Sequence, residues 1–228
     1  MMRRIFDIVR DWVKANPHCW WALTLLYLIA VYIVPEHLVV DTYTNTAIPF
    51  DACIPFFAPG VAFYVLWFPL MFFFGLWLMF KDGRNFRRYM CALCFCMTIS
   101  GAIYLLWPNG QDLRPDLSQP GNFFEWVLGG LYNIDTNTNV LPSLHVSCTM
   151  IVVFCTWMTP SIRRKSVKAA LTLVSLLISA STVFVKQHSV LDVLAAIAIF
   201  IPVFIIICYV IRPVNKKADE GAEIQVQE

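Results

Sequence analysis

The sequence predicts an all-α membrane protein, a bundle of six transmembrane helices with a long extracytoplasmic loop between the third and fourth. Three observations predict this class: the composition, six long apolar windows, and the placement of the basic residues between those windows. Of the 228 residues, 59% are hydrophobic and only 14% are charged, a balance too apolar for a soluble domain of this length. We therefore expect lipid to surround most of the chain.

Six windows contain no Asp, Glu, Lys or Arg, and each is about as long as a helix that crosses hydrocarbon. They cover residues 19–35, 54–80, 89–108, 140–159, 169–185 and 193–211. The second window is longer than a crossing requires and contains Pro55, Pro59 and Pro69. We expect its first part to kink or to lie at the interface.

The basic residues assign the orientation. Fifteen of the seventeen Lys and Arg residues form four groups that six crossings place on one side, which we expect to be cytoplasmic. The groups are Arg3, Arg4, Arg10 and Lys14; Lys81, Arg84, Arg87 and Arg88; Arg163, Arg164, Lys165 and Lys168; and Arg212, Lys216 and Lys217. The opposite loops carry the acidic residues Glu36, Asp41, Asp51, Asp112, Asp116, Glu125 and Asp135.

Three segments follow from this orientation. Residues 1–18 form a cytoplasmic N-terminal segment, residues 19–211 form the membrane domain, and the polar residues 212–228 form a disordered cytoplasmic tail. We expect a multi-pass protein of the plasma membrane. Seven of the eight cysteines fall within the apolar spans, where thiols pack as small hydrophobes, so neither a disulfide framework nor a metal site is expected.

The connection between the third and fourth windows, roughly residues 109–139, is the longest one outside the bilayer. Its centre, NFFEWVLGGLYN, is aromatic and aliphatic but too short to cross. Two interpretations stay open. The segment is either a short helix at the interface that shapes a route for an acyl chain, or a loop anchored by Phe123, Phe124 and Trp126.

The two exceptional cations, Arg114 and Lys186, lie beside residues suited to chemistry. His145 opens the fourth span at the outer face, and the fifth span returns the chain to that face at Lys186 and His188. Asp192 follows His188 by one helical turn, so both side chains can project from one side of the sixth span. Ionisable groups within a span indicate function, and this cluster of cations and histidines predicts a bound anion, for which a lipid phosphate is the best candidate.

Each residue also has a structural interpretation. A buried histidine can bond to a backbone carbonyl, and Asp192 can complement the dipole at a helix start. The side chains of Arg114 and Lys186 can extend to solvent or headgroups. Ser143 can cap the helix that Pro142 begins, although a helix start with free amides is also an anion site.

Three strings resemble motifs of the type 2 phosphatidic acid phosphatase superfamily: RP at 114–115, PSLHVS at 142–147 and STVFVKQHSVLD at 181–192. The resemblance implies that His188 attacks phosphorus and forms a phosphohistidine, and that His145 protonates the departing oxygen. It implies that Asp192 orients His188, as in other catalytic triads. Arg114, Lys186 and Ser143 would bind the phosphate oxygens, and neither a metal nor another cofactor would be required.

Departures from the superfamily motifs concern the phosphate ligands. A lysine is usual at the position of Trp107, an arginine at Thr182, and a glycine at Leu144. Lys186 supplies a charge two residues before His188, a pattern similar to a subgroup that includes inositol phosphorylceramide and sphingomyelin synthases. The substrate and the acceptor therefore stay open.

Four functions are compatible with these residues. The first is hydrolysis of a lipid phosphate monoester or polyprenyl diphosphate, which the compact chain favours. The second is transfer of a phospholipid headgroup to a lipid hydroxyl or inositol. The third is a non-catalytic carrier of lipid phosphate, although no internal repeat of the kind common in transporters is visible. The fourth is a haem protein with His145 and His188 as axial ligands. The expected partners are the membrane and a lipid phosphate, and no nucleic acid.

Overall fold

A computed structural model describes residues 2–38 and 42–211, with only the backbone for Met2 and Arg3. Asp41 and the tail 212–228, including Arg212, Lys216 and Lys217, lie outside the described residues. Nine α-helices are present within those ranges: α1 Met2–Ala15, α2 Thr24–His37, α3 Val61–Val65, α4 Trp67–Lys81, α5 Gly83–Leu106, α6 Phe123–Tyr132, α7 Leu144–Met158, α8 Lys165–Phe184 and α9 Val190–Val210.

Shorter elements connect these helices. The 3₁₀ helices are Pro17–Leu23, Pro49–Cys53 and Ala58–Gly60. Two short parallel strands, β1 at Thr44–Asn45 and β2 at Asn109–Gly110, pair two of the connecting segments. This pairing ties the segment after α2 to the segment after α5.

Five helical stretches are long and apolar enough to cross a membrane, counted over the residues that the structure describes. They are Pro17–His37, Ala58–Lys81, Gly83–Leu106, Lys165–Phe184 and Val190–Val210. These stretches coincide with five of the six apolar windows. The prediction of a helical membrane protein is confirmed at this level.

The fourth window forms a shorter helix than expected. Helix α7 has 15 residues, or about 22 Å, against a hydrocarbon core of about 30 Å. Residues 140–143 leave the helix because Asn109 Oδ1 accepts the backbone N–H groups of Val140 and Leu141 at 3.0 and 2.7 Å. Most of α7 is buried among α4, α5, α8 and α9, so its neighbours shield it along its length.

The second window is interrupted where its prolines predict. The chain runs from the 3₁₀ turn Ala58–Gly60 into α3, and regular helix resumes at Trp67. Pro69 explains the interruption, because it has no N–H for the carbonyl of Val65 and its ring crowds that carbonyl. This break turns the side chain of Tyr64 into the protein, where it is fully buried.

Residues 123–132 form the helix α6, so the helical interpretation of the aromatic segment is confirmed. Asn122 caps it by accepting from the N–H of Glu125 at 3.0 Å. Leu128 packs with Val61, Tyr64 and Val185 in a small apolar cluster, which places α6 over the start of the second span. The location of α6 at the interface stays a prediction.

Candidate active site

His188 lies in a tight turn between α8 and α9. Lys186 adopts a positive φ of 53°, which lets the N–H groups of Gln187 and His188 both reach the carbonyl of Thr182, at 2.9 and 3.0 Å. The His188 ring is buried, and its Nδ1 donates to the carbonyl of Val140 at 3.0 Å. This bond places the ring proton on Nδ1 and leaves the Nε2 lone pair free.

Asp192 lies behind His188 in the first turn of α9. Its Oδ2 is 3.4 Å from His188 Nδ1 and accepts from the N–H of Ser189 at 2.8 Å. The Ser189 hydroxyl accepts in return from the N–H of Asp192, which completes a capping box. The carbonyl of Asp192 accepts from the N–H of Ser143 at 3.1 Å. Asp192 therefore fixes the helix start, faces the histidine and joins α9 to α7.

His145 is the second residue of α7 and lies against His188. The two ring centroids are 5.9 Å apart. The His145 ring packs between Tyr64 and Trp67, with centroid distances of 4.2 and 4.7 Å. Its Nε2 is buried and has no hydrogen-bond partner within the described part of the chain. The two imidazoles are thus close enough to contact one phosphoryl group from two directions.

A tyrosine and a carboxylate support His145 from behind. Tyr64 donates its hydroxyl proton to Oδ2 of Asp135, and the same hydroxyl oxygen lies 3.4 Å from His145 Nδ1. Because its proton is directed to the carboxylate, that oxygen presents lone pairs to Nδ1 and accepts from it. The arrangement gives His145 its own Tyr–Asp pair, separate from the Asp192 that faces His188.

Arg114 organises the loop that carries Asp135. Its guanidinium donates to the carbonyls of Tyr132 and Asp135 at 3.1 and 2.7 Å, and it lies 4.4 Å from the centroid of the Tyr132 ring. Burial lowers the pKa of Arg114, and the negative charge of Asp135 opposes that shift. Arg114 is therefore bound to the C-terminal end of α6 rather than directed at the histidines.

Lys186 has a comparable position on the other side. Its ammonium donates to the carbonyls of Asp51 and Ile54 at 2.8 and 2.6 Å, which secures the end of the 3₁₀ helix Pro49–Cys53. Ser143 is fully buried and caps α7 by accepting from the N–H of Val146 at 3.5 Å. The structure thus brings the two histidines and Asp192 together and leaves both cations in the surrounding loops. Their phosphate-binding role stays a prediction.

A cavity of about 30 Å³ opens between the two histidines. Its wall includes both imidazoles, the carboxylates of Glu36 and Asp135, and four aromatic residues: Tyr32, Trp67, Phe68 and Tyr104. Over the described ranges, no group of three or more His, Cys, Asp or Glu side chains is arranged to hold a metal ion.

A comparison with protein families shows which family this chain belongs to. A family model described as the PAP2 superfamily matches residues 57–206. The chain belongs to the PAP2 superfamily. The match includes both histidines and Asp192 and confirms the superfamily that the motifs resemble, without confirming the synthase-like subgroup. Comparison with curated proteins and with solved structures gave no match.

Members of the PAP2 superfamily are generally phosphatases and phosphotransferases, which supports phosphoric ester chemistry in this protein. Two positions at which cations are usual in the motifs have structural contacts here. Trp107 donates from its indole N–H to Thr44 Oγ1 at 2.8 Å, and Thr182 supports the His188 turn through its carbonyl. This PAP2 protein therefore carries less positive charge around its histidines than the superfamily motifs imply.

Motif reasoning did not find Tyr64 or assign a role to Asp135. Tyr64 lies 71 residues before Asp135 and 81 before His145, and no local spacing connects these positions. The available signals were a tyrosine within an otherwise apolar window and an acidic residue ten positions before His145. Neither signal distinguishes a partner of His145 from an ordinary buried tyrosine or an ordinary loop acid.

Proposed function

We propose that this PAP2 protein is an integral membrane lipid phosphatase that hydrolyses a lipid phosphate monoester or a polyprenyl diphosphate through a phosphohistidine. The observation that carries the proposal is the pair of buried imidazoles 5.9 Å apart, each held at Nδ1 by its own partners. In both rings Nε2 is left for chemistry. A fold that merely packed two histidines has no need to orient both in this way.

The first step is attack on phosphorus by Nε2 of His188. A nitrogen–phosphorus bond forms, the bond from phosphorus to the lipid oxygen breaks, and His145 transfers its Nε2 proton to that departing oxygen. The His188 ring becomes positively charged as the bond forms. Asp192 stabilises this charge, because its carboxylate lies 3.4 Å from the far nitrogen of the ring.

The second step returns the enzyme to its starting state. His145, now neutral, takes a proton from water through the same Nε2, the oxygen of that water attacks phosphorus, and the nitrogen–phosphorus bond to His188 breaks. Tyr64 holds the Nδ1 proton of His145 throughout. Asp135 favours the protonated ring that the first step requires. The Tyr64–Asp135 pair therefore suits His145 to act first as acid and then as base.

Charge from Arg114 and Lys186 stabilises the equatorial phosphate oxygens in this proposal. Each cation has N–H groups that its two carbonyl contacts do not use, since the ammonium has three N–H groups and the guanidinium has five. The Nε of Arg114 is buried without a partner among the described residues. The free amides at the start of α7, beside Ser143, offer a further anion site.

The membrane arrangement is part of the proposal. Six helices would form the bundle, with α7 as a short inner helix that its neighbours shield from lipid. The four basic groups favour cytoplasmic termini in the plasma membrane and a site toward the extracytoplasmic leaflet. The lipid substrate would then reach the histidines from the membrane.

The second candidate function is headgroup transfer, as in inositol phosphorylceramide and sphingomyelin synthases, and the charge in the cavity favours it. Glu36 and Asp135 line the cavity, and Trp107 and Thr182 occupy positions where cations are usual. A phosphate monoester carries about −1.5 to −2 charges at neutral pH, whereas a phosphodiester carries one. Two carboxylates oppose a doubly charged phosphate more than a singly charged phosphodiester, and they oppose a zwitterionic headgroup, in which a cation accompanies the diester, least.

The test uses the purified full-length protein with a panel of lipid phosphates, with and without diacylglycerol, ceramide and inositol, in excess chelator. We expect inorganic phosphate from the wild type and none from His188→Ala. A new phospholipid that forms only when an acceptor is added would show that the reaction is headgroup transfer and not hydrolysis. Saturable binding of the lipid phosphate with neither product would indicate a carrier.

A further inference from the structure

An apolar groove runs along the membrane-spanning part of the molecule between α2, α4 and α5. Its volume is about 490 Å³. Leu25 and Ile29 line it from α2, Met71 and Leu76 from α4, and Met90 from α5. The lining is almost entirely apolar, in contrast to the cavity between the histidines, so the groove suits a hydrocarbon ligand.

The groove and the cavity between the histidines share three lining residues. Tyr32, Trp67 and Phe68 line both spaces, and the Trp67 ring also packs on His145. One end of the groove therefore lies next to the wall of the cavity that contains the imidazoles. This adjacency favours the substrate over bilayer lipid as the occupant of the groove.

The groove follows most of α4. It extends from Phe68 to Met79, eleven residues or about 16 Å of helix, and Met79 lies two residues before the basic end of α4 at Lys81. A lipid whose headgroup lies at the histidines would thus have a long apolar groove for one of its chains.

We propose that this groove binds one hydrocarbon chain of the lipid substrate and selects for chain length. The inference rests on the proposed function, because it requires that the phosphate at the histidines belongs to a lipid. Tyr32, Trp67 and Phe68 form the junction where the polar headgroup meets the chain. The far end, near Leu25 and Met79, contacts only the distal methylenes of a long chain.

A matched pair of substitutions tests the proposal. Leu25 lines the groove, whereas its neighbour Leu26 does not line it and is 71% exposed. Leu25→Trp should obstruct the far end of the groove, and Leu26→Trp should add the same side chain outside it. The probes are oleoyl and hexanoyl lysophosphatidic acid in one detergent, so both variants meet the same micelles.

For Leu25→Trp we expect kcat/KM to fall at least tenfold with the oleoyl lipid and to stay within about twofold with the hexanoyl lipid, because each buried methylene contributes roughly a fourfold preference. Leu26→Trp should behave as the wild type with both lipids. Equal losses in the two variants, or no loss in either, would overturn the proposal while leaving hydrolysis itself intact.

A labelling experiment separates this inference from the proposed function. Oleoyl lysophosphatidic acid with a diazirine at the chain end is photolysed with the wild type and with His188→Ala, so labelling does not depend on turnover. We expect labelled peptides from the far end of the groove, around Leu25 and Met79, in both proteins. Labels confined to the outer faces of α8 and α9 would overturn the proposal, whatever the catalytic assays show.

Discussion

The substitution Asp192→Asn isolates the charge of the carboxylate that faces His188. Asparagine has nearly the same shape, and its side-chain oxygen can still accept from the N–H of Ser189, which preserves the start of α9. The Nδ1 proton of His188 also stays in place, because the carbonyl of Val140 holds it at 3.0 Å. The change therefore removes electrostatic stabilisation without releasing the ring.

The size of the effect follows from the distance. Two unit charges 3.4 Å apart attract by about 5 kcal/mol at an effective dielectric constant of about 20. The His188 ring carries only part of a unit charge at the transition state, so we expect about half of this energy, or roughly a hundredfold lower kcat. Serine protease triads lose about 10⁴-fold when the tautomer is disturbed, and here the Val140 carbonyl prevents that further loss.

The assay is phosphate release at saturating substrate, accompanied by thermal unfolding in the same detergent. Asp192→Ala is the control, because it also removes the carboxylate half of the capping box with Ser189 and should lower the free energy of unfolding by about 1 kcal/mol. A loss near 10⁴-fold in Asp192→Asn would show that the Val140 carbonyl does not set the tautomer. A loss of kcat below about threefold would indicate that Asp192 acts only in the capping box at the start of α9.

Three further predictions concern the other groups around the phosphate. The pH profile of kcat/KM should be bell-shaped, because His188 must be neutral and His145 protonated. Asp135→Asn should move the alkaline limb of this profile to lower pH, because it removes the negative charge that favours protonated His145. An unchanged alkaline limb would show that Asp135 has no part in the mechanism. His145→Ala should lower the rate of hydrolysis of a lipid phosphate by about 10²–10⁴-fold. It should lower the rate with p-nitrophenyl phosphate much less, since nitrophenolate departs without a proton. Equal losses with the two substrates would contradict the role of His145 as the acid. Lys186→Met should raise KM and lower kcat together in steady-state assays, because the ammonium stabilises the phosphate oxygens. Lower thermal stability with unchanged kinetics would show that Lys186 only stabilises the loop.

The sequence predicted that His145, His188 and Asp192 lie together, because the relevant features are topological and local. Apolar windows bring the starts of α7 and α9 to one end of the bundle, and a four-residue spacing puts His188 and Asp192 on one face of a helical turn. Both features follow from the order of polar and apolar residues. The sequence alone therefore predicts the pairing of His145 with His188.

The remaining features depend on contacts that spacing does not encode. A long cationic side chain has many rotamers, so sequence position did not reveal that Arg114 and Lys186 contact loop carbonyls. The short α7 arises from hydrogen bonds to Asn109, 31 and 32 residues earlier in the chain. The Tyr64–Asp135 pair likewise joins distant segments through the break in the second apolar stretch.

Detection of the covalent intermediate tests the central claim most directly. The protein is mixed with a lipid phosphate, quenched in alkali, which preserves phosphohistidine, and digested for mass spectrometry. The account predicts a phosphoryl group on His188 in the wild type, more of it in His145→Ala with a good leaving group because the water step lacks its base, and none in His188→Ala. Phosphate on another residue, or undiminished turnover by His188→Ala, would contradict it.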